Sequence, residues 1–108
     1  MKKAVFVTGA ATGGGLVIAE RFAKEGWNFV ITSRNGETAE KAAKKLSEQY
    51  GVWGKGYALD IRDEQRVIDI FNDLDQNDVF VETVVLNAAD LGYGKDPAVG
   101  QDFFTVPV

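Results

Sequence analysis

The stretch Ala4-Val5-Phe6-Val7-Thr8-Gly9-Ala10-Ala11-Thr12-Gly13-Gly14-Gly15-Leu16 decides the fold of this chain. It opens with a β-favouring run, continues with a glycine-rich segment, and leads into residues 16–24, whose apolar positions have helical spacing. A strand, a glycine turn and a helix in this order are typical of a βαβ unit that binds the phosphates of a nucleotide.

The alternation of strand and helix patterns continues along the chain. A second strand is predicted at residues 29–32, a third within residues 53–59 and a fourth at residues 83–86. The helix after the second strand can be capped by Asn35, and the helix after the third strand is expected to open at Asp60. Its predicted apolar face consists of Val67, Ile68, Ile70, Phe71 and Leu74. The pattern βαβαβαβ predicts an α/β fold of the Rossmann type, a three-layer αβα arrangement around a parallel sheet.

Composition and charge exclude several classes of function. The chain has 108 residues, which suits one domain, and a formal net charge of −4 without a basic run, so double-stranded DNA is an unexpected partner. It contains no cysteine and no histidine, which excludes imidazole catalysis and a thiolate or imidazole metal site. The apolar runs are too short to span a membrane, and a cytoplasmic protein is expected.

The regular pattern stops after Asn87. Residues 1–89 are therefore expected to form a dinucleotide-binding Rossmann unit, and residues 90–108 an irregular tail without a separate domain. The features that favour a loop in this tail are Gly92, Gly94, Pro97, Gly100 and Pro107.

The glycine segment is the candidate phosphate site. Gly9 is expected to provide turn geometry, Gly13 a close backbone approach to phosphate, and Gly15 tight packing of the helix on the strand. The partial positive charge at the start of a helix attracts an anion such as a pyrophosphate. A Walker A loop is excluded because Leu16 follows Gly15, where that motif requires lysine. A purely structural strand-to-helix turn is the alternative.

These residues resemble the short-chain dehydrogenases/reductases. Thr8, Gly9, Gly13 and Gly15 match the Thr-Gly-x-x-x-Gly-x-Gly motif of that family. The resemblance extends over residues 3–89: Asp60 is similar to the family's adenine-contacting aspartate, and Leu86-Asn87-Ala88-Ala89 is similar to its Asn-Asn-Ala-Gly motif. The chain departs from the family pattern at Gly14, Leu86 and Ala89.

The resemblance implies a strand order of 3-2-1-4, with the chain truncated before the family's second half. It also implies that Asp60 and Ile61 contact adenine and that Asn87 and Ala88 lie on the ribose side. The residues implied to hold the pyrophosphate are Gly9, Thr12, Gly13, Gly14 and Gly15. For Asp60, a capping role shared with Asp63 is the alternative, and Asn87 can instead be a turn residue.

The end of the second strand indicates which dinucleotide is bound. NAD-specific units place a carboxylate there, whereas this chain has Ser33-Arg34-Asn35. An arginine can make charge-assisted bonds to a 2′-phosphate, so the sequence favours NADP(H) over NAD. A solvated surface charge is the alternative interpretation of Arg34.

No catalytic residue is assigned. The family's Tyr-x-x-x-Lys pair is absent, because Gly54, Ile61 and Pro97 stand four residues after the three tyrosines.

The leading hypothesis is the NADP(H)-binding N-terminal portion of a short-chain oxidoreductase, which would transfer hydride between nicotinamide and a carbonyl or alcohol substrate that cannot be named from the sequence. The alternative is a non-catalytic module that binds a dinucleotide or another chain. A receiver-type domain is disfavoured because Thr8-Gly9 stands where its acidic cluster is needed. Since the fourth strand would be an unpaired edge, a homo-oligomer is expected.

Overall fold

The computed structural model describes residues 2–10, 13–87 and 103–107. Its strands and helices alternate as the sequence predicts. In chain order they are β1 (Lys2–Val7), α1 (Gly13–Lys24), β2 (Asn28–Ser33), α2 (Gly36–Tyr50), β3 (Gly54–Ala58), α3 (Glu64–Gln76), β4 (Val79–Asn87) and β5 (Phe103–Pro107).

The sheet has the order β3-β2-β1-β4-β5. β1 pairs in parallel with β2 and β4, and β2 pairs in parallel with β3. The predicted Rossmann-type order 3-2-1-4 is therefore confirmed. Because these four strands are parallel, their carboxyl ends meet along one border of the sheet, which we call the carboxyl edge.

The tail contains a strand that the sequence does not predict. Residues 103–107 form β5, which pairs antiparallel with β4 from Asn87 opposite Phe103 to Thr83 opposite Pro107. The prediction of an irregular tail is wrong for these five residues, and the prediction that β4 is an unpaired edge is wrong as well. Backbone groups of β4 that would otherwise face water are bonded to β5, and this removes the main reason to expect a homo-oligomer.

Local signals explain where the helices begin and end. The Asn35 side chain accepts hydrogen bonds from the first turn of α2, and Gly51 ends this helix with a left-handed φ of 66°. Gly26, which follows α1, has a positive φ of 91°, a conformation that glycine adopts readily. The N-cap of α3 is Asp63 rather than Asp60, because Asp63 is the residue whose side chain accepts from Arg66 N.

The core consists of two apolar layers, one on each face of the sheet. One contains Phe29 and Ile31 of β2 with α1 and α2, and the other contains Val30 with α3. Ile70 and Leu74 are buried as predicted, whereas Ile68 is 52% exposed and does not belong to the buried face of α3. In the part of the chain that the structure describes, no helix combines the length and the apolar composition needed to cross a bilayer.

Two glycines allow β3 to pack closely against its neighbours. A Cβ at Gly56 would lie 2.3 Å from the carbonyl carbon and oxygen of Ala39 in α2, and a Cβ at Gly54 would lie 2.1 Å from the ring of Phe29. Because these two glycines have no side chain, the backbone of α2 and the ring of Phe29 can pack directly against β3. The residues that lower the strand propensity of this segment are the ones that its packing requires.

Candidate functional site

The glycine turn after β1 is held by both neighbouring strands. Thr8 N donates to Val85 O at 3.1 Å, and Ala10 N donates to Thr32 O at 2.8 Å. Residues 11 and 12 lie outside the described residues, so the predicted pyrophosphate contact of Thr12 stays a prediction. The described part of the turn is fixed relative to the sheet before it enters α1.

Two glycines of the turn have a left-handed backbone conformation. Gly9 has a φ of 60° and Gly13 a φ of 66°, a region that side-chain-bearing residues adopt only with strain. A Cβ at Gly13 would meet no other heavy atom of the described residues within 4 Å. Gly14 is exposed and Gly15 is buried against the sheet. Among the described residues, open space therefore lies beside Gly13 at the start of α1.

The charge distribution at this helix start suits an anion. Helix α1, which is described along its whole length, has no acidic residue in its first turn, whereas α2 has Glu37 and α3 has Glu64 there. Amide hydrogens and the helix dipole favour a negative group at such a position by about 0.3 to 2 kcal/mol. Together with the open space at Gly13, this arrangement fits a phosphate.

Of the residues that follow β2, Asn35 caps helix α2 and Arg34 has no capping bond among those of the described residues. Asn35 Oδ1 accepts from Glu37 N at 3.0 Å and from Thr38 N at 3.3 Å. Ser33 Oγ accepts from Asn35 N at 3.3 Å. The oxygen of Asn35 is thus used in capping α2, which leaves its amide nitrogen as the group that can contact a ligand. Arg34 is exposed.

Asp60 follows β3 and is bound by its neighbour Arg62. Asp60 Oδ1 accepts from Arg62 N and Nε, both at 3.0 Å, and Oδ2 accepts from Arg62 Nη2 at 2.9 Å. The hydrogen bonds from Arg62, together with the positive charges of Arg62 and Arg34, hold the pKa of the Asp60 carboxyl well below its usual range. Asp60 is therefore a carboxylate at neutral pH, able to accept but not to donate hydrogen bonds. Ile61 is half-buried beside it.

The sheet order arranges the candidate residues along the carboxyl edge. From one side to the other, the edge presents Asp60 after β3, Arg34 after β2, the glycine turn after β1 and Asn87 at the end of β4. The backbone of Asn87 belongs to β4, and its side chain lies outside what the structure describes. Ala88 also lies outside the described residues. The described candidates form one continuous row rather than separate sites.

A second polar cluster lies apart from this row, between β3 and α3. Tyr57 OH donates to Asp73 Oδ2 at 2.6 Å, and Lys55 Nζ lies 3.3 Å from the same oxygen. Burial and the bond to Asp73 raise the pKa of Tyr57 above its ordinary value. An acid–base tyrosine needs a pKa lowered towards neutrality, so this cluster ties α3 to β3 and is not suited to proton transfer.

Arg62 is a residue at this edge that none of the sequence motifs indicates. The signal that could have found it is the spacing Asp60-x-Arg62, which allows an aspartate to accept from the backbone and the side chain of the second residue along. The structure brings both partners to the carboxyl edge next to Arg34.

Comparison with known proteins places these features in a family. Residues 3–101 match the family model described as short chain dehydrogenase. The chain is 35% identical to sulfoacetaldehyde reductase 2 of Chromohalobacter salexigens over 102 residues, which cover 94% of this chain and 38% of that protein. It therefore spans well under half the length of this relative.

Solved structures show the same fold. The L-sorbose reductase of Gluconobacter frateurii, in complex with NADPH and L-sorbose, matches 69% of this chain and 28% of its own, with a TM-score of 0.65 and 33% identity. An NAD+-bound xylitol dehydrogenase matches 70% of this chain and 28% of its own, with a TM-score of 0.61 and 32% identity. Similar proteins thus include structures with either dinucleotide.

Proposed function

The chain belongs to the short-chain dehydrogenase family, and from this premise we propose that its carboxyl edge binds NADP(H). The observation that carries the proposal is the start of α1. A glycine with left-handed φ has no described side chain or backbone packed against its Cβ position there, and no carboxylate lies in the first turn of this fully described helix. These features fit a pyrophosphate held by backbone amides.

The row of residues along the edge supports an assignment of the remaining contacts. We assign the adenine to Asp60 and Ile61, the 2′-phosphate to Arg34 with Ser33 and the amide nitrogen of Asn35, and the ribose side to Asn87 and Ala88. The spatial order of the strands matches the order of these groups in an extended dinucleotide, since β2 and β1 lie between β3 and β4.

Arg34 is the reason to prefer NADP(H) over NAD. It is exposed at the end of β2, and β2 has no carboxylate there to bond the ribose hydroxyls and repel a 2′-phosphate. A charge-assisted bond from an arginine contributes about 1.5 to 3 kcal/mol, equivalent to a roughly ten- to hundredfold preference. Because the structural relatives include complexes of both dinucleotides, the residue at this position of the chain carries the choice.

For the whole protein we propose hydride transfer between nicotinamide and a carbonyl or alcohol. The nicotinamide supplies the hydride when it is bound, and the described residues hold the nucleotide in place. The proposal rests on membership of the family. One relative, sulfoacetaldehyde reductase 2 of Chromohalobacter salexigens, is a reductase, and this chain covers 38% of its length. The Tyr-x-x-x-Lys pair of the family does not occur in the 108 residues.

A non-catalytic dinucleotide-binding module is the second candidate. The observation in its favour is β5, which closes the β4 side of the sheet with residues of the same chain. It also weakens the case for a homo-oligomer, which now depends on exposed apolar side chains such as Val17 and Phe80. Scattered exposed apolar residues are normal on monomers, and sedimentation velocity over a range of concentrations tests this point.

Calorimetric titration tests the cofactor proposal. We expect the chain to bind NADPH more tightly than NADH, and Arg34→Ala to weaken NADPH binding about ten- to hundredfold while changing NADH binding by less than about twofold. Lys41→Ala is the matched control, because Lys41 is another exposed cation, 77% exposed and paired with Glu37 on α2. Equal losses for both nucleotides in Arg34→Ala would contradict the NADP(H) assignment, and no binding of either nucleotide to the unaltered chain would contradict the proposal as a whole.

A further inference from the structure

Arg62 holds the Asp60 carboxylate in one orientation. Three donors of Arg62 reach it: backbone N and Nε to Oδ1, and Nη2 to Oδ2, at 2.9 to 3.0 Å. A carboxylate has about four acceptor positions, two on each oxygen. Arg62 occupies both positions on Oδ1 and one on Oδ2, so a single acceptor position remains, and it is on Oδ2.

Stability of the fold does not explain this pair. The Arg62 side chain is 76% exposed and that of Asp60 40% exposed. Ion pairs in such exposed positions contribute little to folding, since water and salt screen them. The N-cap of α3 is Asp63, so the pair is also not needed to start that helix.

The position of the pair places it within the nucleotide row. β2 and β3 run in parallel register with Ser33 beside Ala58, and Leu59 N donates to Ser33 O at 2.8 Å. Arg34 follows Ser33 directly and Asp60 follows Leu59, so both residues leave the sheet in the same region, close enough for the charge of Arg34 to act on the Asp60 carboxylate. The carboxylate with the free acceptor position on Oδ2 is that of Asp60, the residue proposed to contact the adenine.

We infer that Arg62 is a positioning residue of the nucleotide site, which orients Asp60 so that Oδ2 accepts a hydrogen bond from the exocyclic amine of a purine base. The inference rests on the proposed function. In this arrangement the base that fits is one with an amine at the six-position. A base with a carbonyl there presents an acceptor to an acceptor, and the contact becomes unfavourable.

The test compares two nucleotides that differ only at this group, NADPH and its analogue with an unsubstituted purine base, in which a hydrogen replaces the amine. We expect the unaltered chain to bind NADPH about tenfold or more tightly than the analogue, as loss of a bond to a charged group predicts. In Arg62→Ala the ratio is expected to fall to about twofold or less, because the freed carboxylate turns to water. Arg62→Lys, which can restore part of the ion pair but not the two-pronged geometry, should recover only part of the ratio.

Two further variants complete the design. Asp60→Asn, measured as a reference, should also remove the discrimination between the bases. Arg21→Ala is the matched control, because the Arg21 side chain is 77% exposed and is paired with Glu25 on α1. It should leave the ratio unchanged.

The possible results separate this inference from the proposed function. A base ratio that is unchanged in Arg62→Ala overturns the positioning role while nucleotide binding stands. A loss of NADPH affinity in Arg62→Ala without a loss for NADH also overturns it, because it would assign Arg62 to the 2′-phosphate. Failure of the unaltered chain to bind any nucleotide contradicts the proposed function itself.

Discussion

Gly13→Ala separates the effect of this glycine on backbone conformation from its proposed role beside a pyrophosphate. The φ of Gly13 is 66°, and a Cβ there would meet no other heavy atom of the described residues within 4 Å. The substitution therefore adds strain without a steric clash against the described residues. A left-handed alanine costs about 1 to 2 kcal/mol, and the lower entropy of the unfolded chain offsets about 0.4 to 1 kcal/mol of this.

A matched control is available at the other end of a helix. Gly51 ends α2 with the same φ of 66°, and a Cβ there would likewise meet no described heavy atom within 4 Å. Gly13→Ala and Gly51→Ala are therefore expected to lose similar stability, about 1 kcal/mol, which lowers the melting temperature by about 4 to 8 °C. Thermal unfolding without nucleotide checks this equality.

The two variants should differ in NADPH binding. If a pyrophosphate approaches the backbone at Gly13, a methyl group there occupies its space, and we expect affinity to fall at least about tenfold. Gly51 lies away from the carboxyl edge, so Gly51→Ala should bind within about twofold of the unaltered chain, once folding is complete at the assay temperature. Calorimetric titration measures both. Equal NADPH affinity in the two variants would refute the placement of the pyrophosphate.

Three further perturbations test the framework of the site. Asn35→Ala should lower stability by about 1 kcal/mol through loss of the α2 cap, whereas Asn35→Ser keeps a capping oxygen and should cost less, as urea unfolding will show. Gly56→Ala should destabilise by about 3 kcal/mol, since its Cβ would press on the Ala39 backbone; a loss below about 1 kcal/mol would contradict that contact. The Asp73 pKa is lowered by hydrogen bonds from Tyr57 and Lys55, so its stabilising effect is complete above the ordinary value of 3.8 and is lost as pH falls below it. Asp73→Asn should therefore lower stability at neutral pH and flatten its decline in acid, and an unchanged acid limb would count against the cluster.

The sequence predicts the elements whose signals are local. The apolar runs of β1 and β2 and the cap at Asn35 depend on neighbouring residues, and all three are found in the structure. The parallel sheet follows from the alternation of strand and helix, and right-handed crossovers limit its possible topologies. The order 3-2-1-4 itself is what the resemblance to the short-chain dehydrogenases/reductases implies, so local pattern is sufficient for a parallel α/β framework but not for its strand order.

The features that the sequence does not predict depend on contacts between distant segments. β5 is a short run among glycines and prolines, and only the available edge of β4 makes it a strand. Asp60 and Asp63 are equally good capping residues by type, and the backbone path selects Asp63. Ile68 has the spacing of a buried residue but lies beyond the area that the sheet covers. In each case the structure of the residue or segment depends on contacts or backbone geometry that are not visible in the neighbouring sequence.

The same register that builds the site also sets the order in which the chain can assemble. The central strand β1 pairs on one side with β2 and on the other with β4, where Lys2 lies beside Val79. During synthesis the β1-α1-β2 unit can form early. The other side of β1 stays unpaired until β4, which ends at Asn87, has left the ribosome. Since Thr8 N bonds to Val85 O, the glycine turn acquires its last anchor only in that late closure. The proposed nucleotide site is therefore expected to be completed only when β4 pairs with β1, after the β1-α1-β2 unit has formed.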